Sequence, residues 1–466
     1  MKLKKKSINR NIVLNVLGTA ILQGINFFSA PIFSRALGTA NYGVVSVYIT
    51  WVNLAATVLS LQVGSSIAMA RNEFSANEQL PYRSSVLAMA LCNYGVAFVI
   101  LLLLLDPLSG LLRLHKWLLI FAFFHSFGLF CVSFLNVIFT YDFKADKNLI
   151  LSIVISVSTI ALSIFLIQFF PANINYWGRI IALTIIYSIS SLIICVHFFS
   201  TGKTFFNARY WKLCFPLSFP IIFHSLSGLL LSQSDRLMLR QISGDSCAGV
   251  YSLATTFTAV LSTIWNAFNN SWVPFFHQYS REKNYQEIRK CTKNYLELFT
   301  VLSIGFMLLA PEVYHVFAAE EYWEGTDIIS ISAIGIYMVF LYSFPVNYEF
   351  YKKKTNIIAI GTVLAAVINI ILNFYFIQQM GLFGAALATT IAHTLQFIFH
   401  HICAQYLIGE GDYQFELKEA VFSLFLVISV LLINRFVFLS WQIRWMCGFV
   451  LGCWELCQIK KRKTIF

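Results

Sequence analysis

Ionisable side chains lie within or at the ends of long apolar stretches of this sequence, where a charge is costly. Arg35 and Arg71 end two such stretches, His224 lies near the middle of a third, and Asp235 and Arg236 lie towards the end of that third stretch. Placing one charge at membrane depth costs about 2.5–3.5 kcal/mol on insertion scales. Such residues therefore predict binding of a charged ligand or transfer of an ion. The structural alternative is equally open, since the arginines could mark a membrane interface and Asp235 could pair with Arg236 and extend to it.

Amide and hydroxyl side chains form stripes along four of the apolar stretches, each on one face of a helix at 100° per residue. The four stripes are Asn15, Thr19, Gln23 and Asn26; Thr50, Asn53, Thr57, Ser60 and Gly64; Ser225, Gly228, Ser232 and Asp235, with His224 at the margin; and Thr255, Thr258, Ser262, Asn266 and Asn269. They predict the wall of a hydrated cavity, with Asn26, Asn53 and Asn266 as ligand contacts. Small polar residues also hold membrane helices together. Hydroxyl-only stripes within 149–170 and 178–199 fit that second explanation better.

The apolar stretches themselves define the class of protein. A hydrocarbon core about 30 Å thick requires roughly 20 apolar residues per helix, and fourteen stretches are long enough. The predicted spans, numbered 1 to 14, are 11–33, 43–70, 84–105, 117–139, 149–170, 178–199, 213–239, 247–270, 293–317, 326–350, 355–377, 382–408, 419–438 and 441–459. The chain is 58% hydrophobic and 12% charged, whereas a soluble domain has about 25% charged residues. These features predict an all-α polytopic membrane protein with about 14 transmembrane helices.

Basic residues are distributed unevenly between the two sides of the predicted membrane. When loops are assigned to alternate sides, 25 of the 33 Lys and Arg residues fall on the side of the N-terminus. The other eight are Arg35, Arg113, Lys116, Arg179, Arg236, Arg240, Arg435 and Arg444. Cytoplasmic loops carry such an excess, so both termini are predicted to be cytoplasmic. Span 1 is too long for the apolar core of a signal peptide, and we expect it to be retained.

Enzymatic and nucleic-acid functions find little support in the sequence. The segment Gly202-Lys203-Thr204 lacks the earlier glycine and the preceding strand of a phosphate-binding loop. The ten cysteines lie mostly within spans, and Cys453 and Cys457 have no His, Asp or second Cys pair near them in sequence. The net charge of +12 suits anionic lipid headgroups, and the loops are too short to form a basic folded surface for nucleic acid. We therefore expect a transporter with no cofactor and no metal.

Spans 1–2 and spans 7–8 are related in sequence. The first copy reads RALGTANYGVVS over residues 35–46, and the second reads RQISGDSCAGVYS over residues 240–252. Each copy has an Arg at the end of one helix, a glycine-bearing turn and a Gly-Val start to the next helix. Both copies begin at a span that runs in the same direction. They therefore predict a parallel repeat, an arrangement in which transporters place the substrate between the two halves.

Several segments together resemble the Wzx-type polysaccharide flippases, whose superfamily also holds the MATE drug exporters and the lipid II flippases. The segments are PLSFP (216–220), HSLSG (224–228), DRLML (235–239) and GVYS (249–252); SRALG (34–38) with Tyr42-Gly43; Pro311-Glu312 with Tyr322; and NIILN (369–373) before GLFGAA (381–386). The resemblance extends over nearly the whole chain. It implies two six-helix lobes in a V, residues 1–212 and 213–408, followed by two helices within 409–466.

The same resemblance implies a cargo and a site. The cargo is an oligosaccharide repeat unit on polyprenyl diphosphate, turned from the inner to the outer leaflet of the bacterial cytoplasmic membrane. The cavity is walled by spans 1, 2, 7 and 8. The family pattern assigns Arg35, Asp235 and Arg236 to this site, and geometry adds Arg71. The arginines are expected to contact diphosphate or sugar, and Asp235 or His224 to couple transport to an ion.

Three other functions compete with this interpretation. A MATE-type exporter of cations would favour acidic residues in spans 1 and 2, which contain none. A lipid II flippase is closer in chemistry, but span 1 has no cluster of charges. A membrane glycosyltransferase or polymerase usually needs an extended non-cytoplasmic loop, and the loops on that side are short. The expected partners are the lipid-linked glycan, membrane lipid, and polysaccharide polymerase and chain-length proteins, with no nucleic acid among them.

Overall fold

The computed structural model describes residues 5–408, 411–436 and 440–462, and no β-strand occurs in these ranges. The α-helices are α1 (Lys5–Leu59), α2 (Ile67–Glu73), α3 (Gln79–Leu103), α4 (Leu105–Leu112), α5 (Lys116–Tyr141), α6 (Ala145–Ile167), α7 (Tyr176–Gly202), α8 (Ala208–Ser243), α9 (Asp245–Arg281), α10 (Tyr285–Phe317), α11 (Thr326–Tyr351), α12 (Thr355–Ile402), α13 (Leu417–Phe436) and α14 (Trp441–Arg462). Short 3-10 turns lie at Val63–Ser66, Ala76–Glu78 and Glu320–Gly325, and a π-helical turn at Cys403–Ile408 continues α12.

The fourteen predicted spans fall mainly on these helices, and the predicted all-α polytopic membrane fold is confirmed. Spans 1 and 2 share α1, which breaks at Gly38, and spans 11 and 12 share α12, which breaks at Gly381. Within the described ranges, eleven helical stretches are long and apolar enough to cross a bilayer. The two that contain these glycine breaks are long enough to cross twice, while α14 is more polar and is not among the eleven.

Two glycines give the predicted repeat its shared turn. Gly38 has φ 71° and ψ 169°, and Gly244, at the corresponding turn between α8 and α9, has φ 93° and ψ 176°. This region of backbone space is open almost only to glycine, because a Cβ would clash with the backbone there. Both copies therefore interrupt the helix with the same local backbone geometry, which explains the glycine in each turn of the repeat.

Replacing either turn glycine with alanine should destabilise the protein. We expect Gly38→Ala and Gly244→Ala each to cost about 1–3 kcal/mol, the range for a residue held in a sparsely populated backbone region. Thermal unfolding of the detergent-solubilised protein measures the loss. Gly95→Ala in α3 and Gly305→Ala in α10 are matched controls, since both glycines lie within helices and an added Cβ meets nothing within 4 Å. Equal losses of stability at the turn and control positions would contradict the conclusion that the backbone at Gly38 and Gly244 requires glycine.

The chain forms two compact units, unit 1 with residues 1–233 and unit 2 with residues 234–466. The division falls within α8 rather than in a loop, so a single helix contributes to both units. The predicted lobe boundaries after residues 212 and 408 stay predictions. Each unit has its own apolar core and is described separately below.

In unit 1, α5 lies against α1, α6 and α7. Its approach to α7 is close at Gly128, where an added Cβ would overlap the backbone of Tyr187. Phe130, Phe134 and Phe198 are buried in this core. The polar faces of α1 and α5 lie beside one another near the end of α5, which Asp142 follows.

In unit 2, α11 is the most deeply buried helix and packs against α9, α10 and α12. Its residues Tyr337 and Phe340 are fully buried against Phe299 of α10. α13 and α14 pack against α10, and α13 also contacts α11.

Candidate functional site

Unit 1 contains a cavity of about 780 Å³ that both polar and apolar side chains line. Its walls come from α1, the turn that follows α1, α5 and the middle of α8. The polar lining residues are Asn53, Thr57, Ser60, Gln62, Ser65, Ser133, Asn136, Thr140 and Gln233, with Gly64 and Tyr141 at the same surface. Every polar group in this lining except Tyr141 is an amide or an aliphatic hydroxyl, so the cavity can both donate and accept hydrogen bonds without carrying a net charge.

The stripe predicted on span 2 lies in this cavity. Asn53, Thr57, Ser60 and Gly64 line it, and Asn53 Nδ2 donates to Gln233 Oε1 at 3.3 Å. Thr50 is the exception, because it is not part of the lining; it is fully buried and donates to the carbonyl of Ser46. The face predicted from helical periodicity is thus the face that borders the open space.

The contribution of α5 was not predicted. Ser133, Asn136 and Thr140 are spaced three and four residues apart and share one face of the helix. The signal was present in the sequence, but it is short and its last member lies just beyond the predicted end of span 4. Because α5 packs against α1, these three residues form a second wall of the cavity.

Four charged residues form a cluster where α5 ends, next in sequence to the cavity-lining residues Thr140 and Tyr141. Arg83 makes a two-pronged pair with Asp142, with Nη–Oδ distances of 3.0 and 2.7 Å. Lys144 Nζ lies 3.5 Å and Arg71 Nη1 lies 3.8 Å from the same carboxylate. Asp142 follows Thr140 and Tyr141, which line the cavity. Three cations thus share one carboxylate, leaving this end of unit 1 positively charged.

Asp142 is held in its ionised form. Burial alone would raise its pKa, but the hydrogen bonds and charge of Arg83, with a further contribution from Lys144, bring the pKa below its ordinary value. Arg71 lies further away and its side chain is 41% exposed, with its guanidinium 5.3 Å from the Phe143 ring centroid. Arg83 therefore neutralises Asp142, and the charge of Arg71 faces solvent.

The lowered pKa of Asp142 predicts an acid-sensitive contribution to stability. Folding favours the ionised carboxylate, so the contribution is complete above the ordinary pKa of about 3.9 and is lost as pH falls through the lower folded-state pKa. At neutral pH, Asp142→Asn should lower the unfolding temperature, because hydrogen bonds to charged groups contribute about 1.5–3 kcal/mol. The difference from wild type should shrink below about pH 4. Asp146→Asn, at an exposed carboxylate of α6, is the control, and a difference that persists unchanged in acid would refute this role.

In unit 2, Asp235 lies inside a closed cluster of polar side chains. It is 2% exposed. Its Oδ1 accepts from Asn373 Nδ2 at 2.6 Å, and its Oδ2 accepts from Tyr251 Oη at 2.5 Å and Thr389 Oγ1 at 2.7 Å. Asn369 joins the cluster through Asn373 and Thr389 at 3.0 and 2.9 Å. The alternative in which Asp235 pairs with Arg236 and extends to the membrane interface therefore does not fit this structure.

One acceptor in this cluster has no hydrogen-bond partner among the described residues. It is Oδ1 of Asn373, which is buried beside the Asp235 carboxylate. Arg236 points elsewhere and donates to Thr255 Oγ1 at 3.3 Å. The cluster therefore brings a carboxylate, an unpartnered amide oxygen and a hydroxyl oxygen together in a buried position, and oxygen atoms of these kinds bind hard cations.

The profile of a family described as polysaccharide biosynthesis protein matches residues 8–280, more than half of the chain. This chain belongs to the polysaccharide biosynthesis protein family. The family predicted from the sequence segments is thereby confirmed. The matched region contains the whole unit 1 cavity and Asp235, but ends before Asn369, Asn373 and Thr389.

Known proteins similar to this family member include a Lsg locus protein of Haemophilus influenzae, 23% identical over 78% of this chain and 89% of that protein. A Haloferax volcanii protein named as the probable low-salt glycan biosynthesis flippase Agl15 is 22% identical over 42% of each chain. Among solved structures, the lipid II flippase MurJ in an inward closed conformation superposes with a TM-score of 0.74 at 17% identity, covering 97% of this chain and 99% of that one. An inward-facing MATE multidrug transporter gives 0.59 at 15% identity, over 84% and 98%. These two likenesses show a shared fold.

The other predicted site residues lie on the surfaces of their units in this family member. Asn26, His224 and Asn266 are exposed, and the Asn266 amide donates to the carbonyl of Ser262 at 2.8 Å. Arg35 is exposed one turn before the Gly38 break. Their roles in binding stay predictions. The side chains of Asn15 and Thr19, from the stripe on span 1, lie outside the described part of the chain.

Proposed function

We propose that this protein is a flippase for the assembly of surface polysaccharide. Its cargo is an oligosaccharide repeat unit on polyprenyl diphosphate, moved from the inner to the outer leaflet of the bacterial cytoplasmic membrane by alternating access. The observation that carries the proposal is the cavity of unit 1, about 780 Å³ in volume and lined by nine amide and aliphatic hydroxyl side chains beside apolar ones, in a membrane protein of a polysaccharide biosynthesis family. Delivery of the flipped unit to a polymerase and chain-length proteins is part of the same proposal.

The cavity suits a sugar head group. Its volume falls within the range of about 300–1,000 Å³ that small-molecule sites occupy. Sugar hydroxyls need partners that donate and partners that accept hydrogen bonds. The side-chain amides of Asn53, Asn136 and Gln233 each carry an NH₂ donor and an oxygen acceptor, and all three line the same cavity. A purely apolar cavity would leave those hydroxyls without partners at a cost of several kcal/mol. The polyprenyl chain needs no such wall, because it can stay in the lipid.

Arg71 is the candidate contact for the diphosphate in unit 1. Arg83 makes the close pair with Asp142, so the exposed guanidinium of Arg71 retains its charge for an anion near the end of the cavity. Guanidinium groups bind phosphate oxygens through two parallel hydrogen bonds. Arg35 and Arg236 are proposed to contact the diphosphate or sugar in other states of the transport cycle.

Asp235 is the candidate residue for coupling to an ion gradient. The buried carboxylate and the unpartnered Asn373 oxygen would bind a proton or a monovalent cation, and the bound charge would compensate the buried negative charge. Cation binding would order Asn373 of α12 against Asp235 of α8, so occupancy could favour one state of unit 2 over another. His224, exposed on α8, is the alternative coupling residue.

A cation exporter of the MATE type is less well supported. Such a transporter needs a carboxylate where the cationic substrate binds, and no Asp or Glu occurs among the described residues that line the unit 1 cavity. The positive end formed by Arg71, Arg83 and Lys144 would also repel a cation. The same charges favour an anionic cargo.

The proposal is tested by locating the lipid-linked glycan in cells that lack this gene. A flippase defect should leave complete repeat units on polyprenyl diphosphate in the inner leaflet, where they resist glycan-directed enzymes or lectins added to intact spheroplasts. Returning the wild-type gene should restore access. Complete units that accumulate in the outer leaflet would indicate a polymerase or ligase instead, and an unchanged glycan with altered drug sensitivity would indicate an exporter.

A further inference from the structure

The helix α1 ends inside the stretch that the sequence predicts as span 2. Hydropathy predicts one helix over 43–70, but α1 ends at Leu59 and a 3-10 turn occupies Val63–Ser66 before α2 begins. Between these elements, Leu61 and Gln62 have φ values of 51° and 49°. The sequence of residues 59–63, LSLQV, contains neither glycine nor proline. Two residues with full side chains therefore break a membrane-spanning segment in the left-handed region of backbone space.

This break is an unfavourable feature of the backbone. The left-handed region is disfavoured for residues other than glycine, because the Cβ atom approaches the following carbonyl oxygen, and a leucine there is an outlier. Irregular backbone at membrane depth is tolerated only where protein covers it or where it lines a water-filled cavity. Strained positions of this kind cluster at functional sites. The break should therefore supply something that a continuous helix would not.

The break changes which residues face the unit 1 cavity. At 100° per residue, three further lining residues would share the face of Asn53 within about 40° on a continuous helix, namely Thr57, Ser60 and Gly64. The same geometry would place position 62 about 180° from Asn53, on the opposite face. In the structure, Gln62 nevertheless lines the cavity. The break therefore adds an amide side chain to the lining.

Local hydrogen bonds hold Gln62 in this position. Its Nε2 donates to the carbonyl of Thr57 at 3.2 Å, and its backbone N donates to Ser60 Oγ at 3.2 Å. The carbonyl of Leu59, where α1 ends, accepts from Asn93 Nδ2 of α3 at 2.8 Å. Oε1 of Gln62 accepts no hydrogen bond from the part of the chain that the structure describes. The amide is thus anchored through its nitrogen, and its oxygen is available in the cavity.

We propose that Gln62 contacts the glycan of the cargo and helps to select it, and that the helix break positions this side chain. The inference rests on the function proposed for the unit 1 cavity. With Nε2 held by Thr57, Oε1 accepts a hydrogen bond from a sugar hydroxyl or an acetamido N–H. A glycan that lacks this donor leaves Oε1 without a partner, and sites built to bind a hydroxyl discriminate strongly against analogues that lack it. Gln62 therefore distinguishes glycans that differ by one hydroxyl or acetamido group.

Protection of single cysteines from a small maleimide tests the contact in the full-length chain. The ten native cysteines are replaced by alanine, and Gln62→Cys, Asn53→Cys or Val63→Cys is then introduced. Val63 is 0% exposed and is the buried control. Membranes from cells in which glycan assembly is blocked at its first step should show labelling at positions 62 and 53 and not at 63. In membranes that contain the glycan at about ten times its Kd, labelling at 62 and 53 should fall roughly tenfold.

The two cavity positions separate this inference from the proposed function. Protection at position 53 without protection at position 62 overturns the contact with Gln62 and leaves the cargo in place. A lack of protection at both positions overturns the proposed cargo, and this inference with it. Labelling at position 62 that is as slow as at position 63 in glycan-free membranes means that residue 62 does not face the cavity, which overturns its positioning by the break.

A pair of variants at Leu61 tests the break itself. Leu61→Gly and Leu61→Ala both remove a side chain that packs against the core of unit 1. Glycine adopts the left-handed region readily, whereas alanine favours a continuous helix. At equal amounts of protein in the membrane, Leu61→Ala should give about tenfold less surface polysaccharide than Leu61→Gly, which corresponds to about 1.4 kcal/mol.

The Leu61 pair also has a readout that a purely structural role would not change. In glycan-free membranes, Leu61→Ala should slow the labelling of Gln62→Cys and leave the labelling of Asn53→Cys unchanged, because only position 62 depends on the break to face the cavity. Leu61→Gly should leave both unchanged. Equal losses of polysaccharide in the two Leu61 variants, or equal labelling of Gln62→Cys in both, would overturn the role assigned to the break.

Discussion

Asp235→Asn should abolish ion-coupled transport while leaving the fold intact. The wild-type carboxylate accepts three hydrogen bonds from Tyr251, Asn373 and Thr389. A new amide at this position can keep two of them as an acceptor, and rotation of the Asn373 amide would present its unpartnered oxygen to the new NH₂ group. The negative charge that we propose binds the ion is lost. We expect a fall in surface polysaccharide of at least about tenfold, which corresponds to about 1.4 kcal/mol.

The measurement is complementation of a deletion strain, with the amount of variant protein in the membrane determined in parallel. Asp245→Asn is the matched control, because Asp245 begins α9 and pairs with Arg240 at 2.6 Å with a side chain that is 38% exposed. It should support nearly wild-type polysaccharide. Full complementation by Asp235→Asn at normal protein levels would show that Asp235 has no part in coupling and would leave His224 as the candidate.

The second large effect is expected at Arg71. Arg71→Gln removes a partly exposed charge that lies 3.8 Å from Asp142, further away than the closely paired Arg83, whereas Arg71→Lys keeps a charge but loses the two-pronged geometry for phosphate. We expect Arg71→Gln to reduce surface polysaccharide by roughly tenfold or more, because a hydrogen bond to a charged group contributes about 1.5–3 kcal/mol. Arg71→Lys should fall between this variant and wild type.

Lys147→Gln controls for a general loss of positive charge, since Lys147 is exposed in the first turn of α6 close in sequence to Asp142. Its effect should be small. Equal losses for Arg71→Gln and Lys147→Gln would mean that charge at this end of unit 1 acts through membrane orientation and not through a bound diphosphate.

The fold was largely predictable because membrane helices leave a strong signal. Each predicted span coincides mainly with a helix, and the turns at Gly38 and Gly244 were marked by the repeated Arg, Gly and Gly-Val residues. The brevity of the turn within α1 was not predicted, because the helix breaks at Gly38 alone and resumes without a polar loop. Length and hydropathy carry no information about that geometry.

The site was only partly predictable. Helical periodicity correctly identified the face of span 2 that carries Asn53, because a face depends only on residues close in sequence. The environment of Asp235 depends on Asn373 and Thr389, which lie 138 and 154 positions away. Periodicity also cannot tell which neighbour covers a polar face. For that reason Asn136 of α5 was not predicted to line the cavity opposite Asn53.

The proposal that the unit 1 cavity binds the lipid-linked repeat unit is tested most directly by identifying what lies in the cavity in a growing cell. A photo-reactive amino acid at Val137, an apolar residue of the α5 wall, would keep the polar lining intact. The matched position is Phe124, which is 43% exposed on the same helix and is not part of that lining. After illumination and purification, we predict a covalent adduct that contains the lipid-linked repeat unit at position 137 and not at position 124. No glycan adduct at position 137, or equal amounts at both positions, would contradict the proposal that this cavity carries the cargo.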